Sequence, residues 1–343
     1  MADGEIERRK TRWNRLWNRE NGVRDIIYIN VGDPNANRPN PIPENKAARV
    51  DWAWNIYRTR MEMTEWLKDD FIPYLDVYTG TEIFAHAFGC KIHVPPDNMP
   101  CAMPMIHDAV EVARLKVPRW SDTPLVDLFD MADELRRRAG SDAVVRVPDI
   151  QSPMDIAALI WDKNEFFVAL VQEPRAVKDL ADKVKELFTA FFDDWFRRYG
   201  TEFIAHCPND YYPRGITLSE DEAGAVNTDM FEEFFLPELV DLSNHYGGLG
   251  MHCCANARHQ WDNFKKIPDL KLLNICQPAQ IVREAFEQFG DRVVHQHGWM
   301  GDGPVWDRRN QIPVPKNIPC IFETTVKDRS EAVETLDRFR STI

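Results

Sequence analysis

The sequence predicts an α/β fold of the (β/α)8 TIM barrel type, preceded by an N-terminal helical extension. Eight short apolar stretches have the length and composition of strands, and helical patterns lie between most of them. Strands that alternate with helices pair in parallel through right-handed crossovers, and eight such units can close into a barrel. The predicted strands are 26–31, 71–78, 142–148, 202–207, 248–254, 271–275, 292–297 and 318–322.

The predicted helices begin with an amphipathic segment at 5–23, where Trp13, Leu16 and Trp17 have helical spacing. The proline-rich region 80–140 is predicted to be an excursion between the second and third strands. Residues 1–70 then form the extension and the first barrel strand, and residues 71–343 form the remainder of a single barrel. Further helices are predicted at 46–68, 153–159, 177–198, 228–246, 256–266, 279–289 and 330–339.

Composition and charge limit the function classes. The net charge of −13 opposes binding to a phosphate backbone, so nucleic acid is not an expected partner. No apolar run approaches the roughly 18 residues of a membrane span, and the charged N-terminus does not resemble a secretory signal. We therefore expect a cytoplasmic protein with no membrane partner. Its seven scattered cysteines favour free thiols or metal ligands over a disulfide framework.

One pattern indicates a metal site. His252 and Cys254 lie two residues apart at the end of a predicted strand, so they face the same side, whereas Cys253 faces the helices. Cys320 lies in the last predicted strand and is the expected third ligand. Three ligands of this kind predict an open zinc site, with Glu323 as a displaceable fourth ligand. The alternative interpretation is a set of buried thiols and a core imidazole.

These residues also carry a resemblance. The stretch 251–256 followed by Cys320 resembles the His-x-Cys…Cys zinc signature of the corrinoid-linked methyltransferases in the uroporphyrinogen decarboxylase superfamily. The likeness extends over roughly residues 70–343. Three further stretches are similar to that superfamily and follow its order: 152–157, 230–237 and 273–278.

The resemblance implies a TIM barrel, a zinc ion and a partner protein that carries a corrinoid (methylcobalamin). It implies transfer of a methyl group between that corrinoid and a small thiol, pterin or methyl ether, in anaerobic one-carbon metabolism. A zinc centre with two thiolates and one neutral imidazole has no formal charge, which favours binding of a substrate thiolate. Barrels of this class occur alone and paired, so a homodimer also fits.

Two departures from the superfamily pattern affect the expected substrate. The decarboxylases proper carry an arginine-rich loop after the first strand that binds substrate carboxylates, and here that stretch reads Val31 to Arg38. The stretch 295–299 replaces the usual Gly-Asn-x-Asp-Pro of the seventh strand, and Gly298 and Trp299 within it lie outside the residues that the structure describes. A metal-independent decarboxylase and a non-catalytic corrinoid- or metal-binding protein are the alternative functions.

Other residues are candidates for the chemistry at the barrel mouth. Asp210 is a candidate donor or general base, with His206 and Tyr211 beside it, although turn capping explains Asp210 equally well. His295 and His297 share one face of a strand and could relay protons or be ordinary hydrogen-bonded histidines. The predicted substrate-binding residues are Gln277, His297 and Asn256.

Overall fold

The structure is a computed structural model that describes residues 2–20, 23–96, 98–213, 215–297, 303–307 and 317–342. The strands are β1 (Asp25–Val31), β2 (Tyr74–Leu75), β3 (Lys91–His93), β4 (Cys101–Met103), β5 (Val144–Val145), β6 (Phe203–Ile204), β7 (Tyr211–Tyr212), β8 (Ile216–Ser219), β9 (Leu249–Cys253), β10 (Leu270–Ile275), β11 (Val294–His295) and β12 (Cys320–Val326). The helices are α1 (Ala2–Trp17), α2 (Lys46–Met63), α3 (Ile83–Phe88), α4 (Ala109–Arg114), α5 (Val126–Ala139), α6 (Pro153–Ile160), α7 (Lys163–Gln172), α8 (Pro174–Tyr199), α9 (Thr228–Met230), α10 (Leu236–Tyr246), α11 (Trp261–Phe264), α12 (Ala279–Phe289) and α13 (Arg329–Ser341).

A parallel sheet of six strands forms most of the barrel wall, in the order β1, β12, β11, β10, β9, β8. The first and last barrel strands are neighbours, because β1 pairs with β12 over seven positions from Asp25–Cys320 to Val31–Val326. That adjacency is what a strand order closed on itself requires. The α/β barrel class predicted from the alternation of strands and helices is confirmed.

The part of the barrel wall outside the six-stranded sheet has fewer hydrogen bonds between strands. The short strands β2 and β5 pair in parallel, and isolated bridges connect Arg146 with Ile204 and Gln151 with Ser219. The hydrogen-bonded ladder is therefore not continuous around the barrel within the described ranges.

Side-chain carboxylates replace part of the ladder beside β1. The Asp69 carboxylate accepts a hydrogen bond from the N–H of Ile29 at 2.9 Å, and that of Asp70 from Ile27 at 3.0 Å. Arg9 of α1 pairs with Asp69 at 3.1 Å, and both side chains are 1 % exposed. Burial raises the pKa of Asp69 to about 6 although the Arg9 charge lowers it. The N-terminal extension thus neutralises carboxylates that complete the barrel wall.

The predicted fourth strand, 202–207, is the main difference in the sheet. Only Phe203 and Ile204 are extended there, and they form an antiparallel pair with Tyr211 and Tyr212 of β7. The place next to β9 in the parallel sheet belongs to β8, which the sequence analysis did not predict. All four residues of β8 are buried, but its sequence Ile-Thr-Leu-Ser alternates in polarity and is too short to stand out as a buried strand.

The helices differ from prediction mainly where the chain turns sharply. The predicted helix 256–266 consists of a 3-10 turn, Arg258–Gln260, and the single turn α11. The predicted helix 228–246 contains a π-helical turn, Phe231–Phe235, between α9 and α10. No helix in the described part of the chain is long and apolar enough to cross a membrane.

Aromatic side chains fill much of the layer between helices. Phe188, Phe191 and Trp195 lie on one face of α8 and are at most 1 % exposed. Phe84 of α3 contacts Phe188 with ring centroids 5.5 Å apart, and Phe129 of α5 contacts Trp195 at 5.1 Å. Offset and edge-to-face rings of this kind stabilise a core beyond the area that they bury. The excursion between β2 and β5 is held to the barrel through this contact layer.

Candidate metal centre

Two neighbouring strands bring three metal-binding side chains together. His252 lies in β9, Cys254 follows β9 directly, and Cys276 follows β10 directly. Because β9 and β10 are parallel and paired with His252 opposite Asn274, the two cysteines emerge at the same edge of the sheet. One ligand atom from each of the three residues lies within 4.8 Å of the other two.

The donor set suits zinc. Ligand atoms around a tetrahedral zinc with two thiolates and one imidazole are about 3.5–3.8 Å apart. The three donor atoms lie within 4.8 Å of one another, and His252 Nε2 lies 2.8 Å from Cys254 Sγ, so these distances differ from that spacing by about 1 Å or less. All three are attached to the ends of buried strands, so small side-chain rotations suffice to close a site. The group therefore fits one zinc ion with a coordination position left for a substrate.

Asn274 sets the orientation of the His252 ring. Its Oδ1 contacts His252 Nδ1, and its Nδ2 contacts the Gln296 side chain and backbone oxygen. Because an amide Nδ2 can only donate, Oδ1 accepts from a protonated Nδ1 and leaves the Nε2 lone pair towards Cys254. Cys207 Sγ approaches the same Nδ1 at 3.5 Å. The imidazole is thereby presented as a neutral ligand through Nε2.

The backbone of Cys254 is held from both sides. Its N–H donates to Asp221 Oδ1, and its C=O accepts from Gln277 Nε2 at 2.7 Å. Asp155 in turn accepts from the N–H groups of Asp221 at 2.8 Å and Glu222 at 3.0 Å. Gln277, predicted to bind substrate, thus uses its amide to position the loop that carries Cys254.

Without a cation the thiols hold their protons. Burial, followed by the charge of Asp221 and by Cys276, raises the pKa of the Cys254 thiol to about 12. Burial raises the pKa of Cys207 to about 12 as well. A divalent cation reverses this preference, because it binds thiolate rather than thiol. Ligand formation at this site would therefore release protons.

Cys320 lies away from the group of potential metal ligands, and the cysteine that joins His252 and Cys254 in that group is Cys276. Cys320 is the first residue of β12 and pairs with Asp25, the first residue of β1, so it lies at the amino end of the strand. Phe322 has the same strand parity and contacts Phe339 of α13 at 5.1 Å, so this side of β12 faces the helices. The signal for Cys276 was its position directly after the predicted strand 271–275.

Cys253 is buried, and its Sγ donates to the carbonyl oxygen of Ala255 at 3.5 Å. Its position outside the metal-binding group agrees with the structural role predicted from strand parity.

Glu323, predicted as a fourth ligand, belongs to a second cluster. Its Oε1 accepts from Asn30 Nδ2 at 2.9 Å, and its Oε2 lies 3.2 Å from Tyr28 Oη. The same Tyr28 Oη lies 3.1 Å from Asp210 Oδ1. One phenol proton cannot serve two carboxylates, so a second proton belongs to this cluster. Burial, followed by the charge of Glu323, holds the pKa of Asp210 well above its ordinary range, which assigns that proton to Asp210.

The other predicted catalytic residues have different surroundings. His206 lies after β6, and its Nε2 is 3.0 Å from Ser219 Oγ. Burial, then the charges of Arg146 and His252, lowers the pKa of His206 well below its ordinary value. Tyr211 packs against Trp13 of α1 with ring centroids 6.3 Å apart, so the structure does not bring it to the metal-binding group.

His295, which is buried, and His297, which is partly buried, form a pair. His295 Nδ1 lies 2.9 Å from His297 Nε2, and His297 Nδ1 accepts from the N–H of Ile275 at 3.3 Å. Burial lowers the pKa of His295 to about 4 and holds that of His297 well below its ordinary value, so both rings are neutral near pH 7. Asn256, also predicted to bind substrate, is exposed in the loop after Cys254.

Comparisons with known proteins agree with this architecture. The family model described as uroporphyrinogen decarboxylase (URO-D) matches residues 69–296. No curated protein matches the sequence. Among solved structures, a methyltransferase from Methanosarcina mazei is similar, with 13% identity, a TM-score of 0.68 and 97% of each chain covered. At that identity the likeness shows the fold alone. Because the matched region is well over half of the 343 residues, the chain belongs to the uroporphyrinogen decarboxylase family.

Proposed function

We propose that this protein is a zinc-dependent methyltransferase that moves a methyl group between a corrinoid on a partner protein and a small thiol, pterin or methyl ether. The observation that carries the proposal is the convergence of His252, Cys254 and Cys276 at the carboxyl ends of β9 and β10. Reactive groups of parallel barrels lie at this face. The similarity in fold to a methyltransferase is consistent with the proposal.

His252, Cys254 and Cys276 would hold the zinc ion, which when bound lowers the pKa of a substrate thiol or polarises an ether oxygen. Asn274 keeps the imidazole in the tautomer that ligation needs, and Asp221 and Gln277 keep Cys254 in place. These supports are preformed, so the chain need not reorganise to receive the ion.

Asp210 is proposed to move the proton that the reaction requires. When a methyl ether loses its methyl group, the remaining oxygen takes a proton, and a protonated carboxyl group can supply it. Asp210 is fully buried, and its Oδ2 has no hydrogen-bond partner among the residues that the structure describes. It is three residues from Cys207, whose Sγ approaches His252, so its loop lies beside the metal-binding group.

Metal analysis of the anaerobically purified protein tests the proposal first. We expect about one zinc per chain, loss of zinc in Cys254→Ser, and transfer of methyl from free methylcobalamin to a thiol by the wild-type protein only. Zinc-free wild-type protein, or zinc retained in Cys254→Ser, would overturn the proposal.

Metal-independent decarboxylation is the second candidate, because the family assignment and the arginines at the barrel mouth both fit a carboxylate substrate. That reaction has no use for the thiol group at β9 and β10. Release of carbon dioxide from a candidate acid by metal-free protein would favour it.

A further inference from the structure

A cavity of about 300 Å³ shares one loop with the group formed by His252, Cys254 and Cys276. It lies between α2, the loop after β1 and the loop that follows β6. Asn209 of that last loop lines the cavity, and Cys207 of the same loop contacts His252. The cavity and the metal-binding group therefore share the loop 205–210 as a wall. Its volume is at the lower end of the range for small-molecule sites.

The cavity wall carries an excess of positive charge. Arg38, Arg60 and Arg146 line it, against the two carboxyl groups of Asp76 and Glu323. Arg146 pairs with Asp76 at 3.0 Å. Neither Arg38 nor Arg60 has a carboxylate within ion-pair distance among the residues that the structure describes. Among the described lining residues, three guanidinium groups face two carboxylates, which is an excess of one positive charge.

Arg60 is held by neutral groups. It is 8 % exposed, and its Nη2 donates to Asn30 Oδ1 at 2.6 Å. Its guanidinium also lies over the Phe71 ring, 4.5 Å from the centroid. Asn30 lies between Arg60 and Glu323: its Oδ1 accepts from Arg60, and its Nδ2 donates to the Glu323 carboxylate. A buried cation with these partners is stabilised further by an anion.

Arg38 is arranged in the same way at the cavity entrance. Its Nη1 donates to Asn35 Oδ1 at 2.8 Å, and its guanidinium lies 4.8 Å from the centroid of the Tyr78 ring. Both contacts fix the orientation of the guanidinium N–H donors of Arg38 without neutralising its positive charge.

The other side of the cavity is apolar and largely aromatic. Trp52 is fixed there by a hydrogen bond from its Nε1 to the carbonyl oxygen of Ala36 at 3.0 Å. Flat rings of this kind contact planar ligands over a large area at low entropic cost. The remaining apolar lining residues are Pro34, Ile56, Phe71 and Tyr74.

We propose that this cavity binds the substrate as a small organic acid, with a carboxylate or sulfonate at Arg38 and Arg60 and a planar, apolar body against Trp52 and Tyr74. The inference deepens the proposed function by naming its substrate class and rests on that function only for the reaction that follows binding. An excess of one positive charge matches a single anionic group. Arg60 comes from α2 and Arg38 from the end of the stretch 31–38, so the site needs only one arginine from the loop after β1.

Calorimetric titration with benzoate, benzenesulfonate and neutral benzamide tests the site. Metal-free protein is used, so that neither acid can bind through zinc. We expect at least one acid to bind about tenfold or more tightly than benzamide, because a charge-assisted contact contributes at least that much. The tighter of the two acids identifies the anion as carboxylate or sulfonate.

Substitution locates the binding. Arg60→Gln and Arg38→Gln are expected to reduce the affinity for the acid to that for benzamide, whereas Arg283→Gln, an exposed arginine of α12, leaves it unchanged. If Arg60→Gln does not fold, Arg38→Gln decides the question. Acids that bind no more tightly than benzamide, or that bind the folded arginine variants unchanged, would overturn the inference. A protein that binds acid but no zinc would retain this site and lose the proposed function.

Discussion

Cys276 and Cys320 lie at opposite ends of strands in the same parallel sheet. Cys276 follows the last residue of β10 and joins His252 and Cys254, whereas Cys320 is the first residue of β12 and faces the helices. Each is a cysteine next to a buried apolar strand, so residue type does not distinguish them. In a parallel barrel, the end of the strand on which a side chain lies therefore decides whether it can take part in chemistry.

The largest expected effect separates these two cysteines directly. Cys276→Ser should lower zinc affinity at least about 100-fold, because it removes one of three ligands from the ion. Cys320→Ser should leave the affinity unchanged, since its side chain lies outside the ligand group. Competition with a chromophoric chelator measures both. Loss of zinc in Cys320→Ser would break the comparison and restore the ligand set predicted from the sequence.

A pair of buried aspartates extends the comparison to proton transfer. Asp210→Asn at the barrel mouth should lower the rate of methyl transfer from a methyl ether by roughly 100-fold or more, the usual contribution of a positioned acid. Asp69→Asn, at the wall supported by α1, should leave the rate of the folded protein unchanged. Rates are measured on samples of equal zinc content. Equal losses in the two variants would show that Asp210 acts through stability alone.

Two buried asparagines test the support of the imidazole. Asn274→Ala should weaken zinc binding about 10–100-fold, because His252 loses the acceptor that orients its ring. Asn263→Ala removes hydrogen bonds to Thr228 and Gln260 and should lower stability without changing zinc affinity. Chelator competition and thermal unfolding of both variants separate the two effects. A zinc affinity that falls equally in both variants would contradict the assigned role of Asn274.

The last expected effect, which leaves the candidate metal centre unchanged, concerns stability and pH. The folded state raises the pKa of Asp69 from 3.8 to about 6, so it binds a proton more readily than the unfolded chain between these values. The contribution of this carboxyl group to the free energy of unfolding should therefore fall by up to about 3 kcal/mol as the pH rises from 3.8 to about 6. Asp69→Asn should remove this contribution. Urea unfolding of the wild-type and variant proteins at pH 4 and pH 6.5 measures it. An equal change in the free energy of unfolding between the two pH values in both proteins would contradict the assignment.

The barrel class followed from local signals. Apolar stretches such as 26–31 and 271–275 are long enough to be recognised, and alternation with helices restricts them to parallel pairing. The short strand β8 was missed because burial of Thr217 and Ser219 depends on neighbours that are distant in the sequence. The hairpin of β6 and β7 was missed for the same reason.

For the candidate metal centre, His252 and Cys254 could be placed on one face from the sequence, because the two-residue period of a strand is local. The third partner could not be predicted in this way, since the register between β9 and β10 and the start of β12 depend on contacts across the whole sheet. The pairing of Asp210 with Glu323 through Tyr28, and the arginines around the cavity, likewise join residues from distant segments. Local spacing fixes the direction in which a side chain points, and long-range packing determines which residues it contacts.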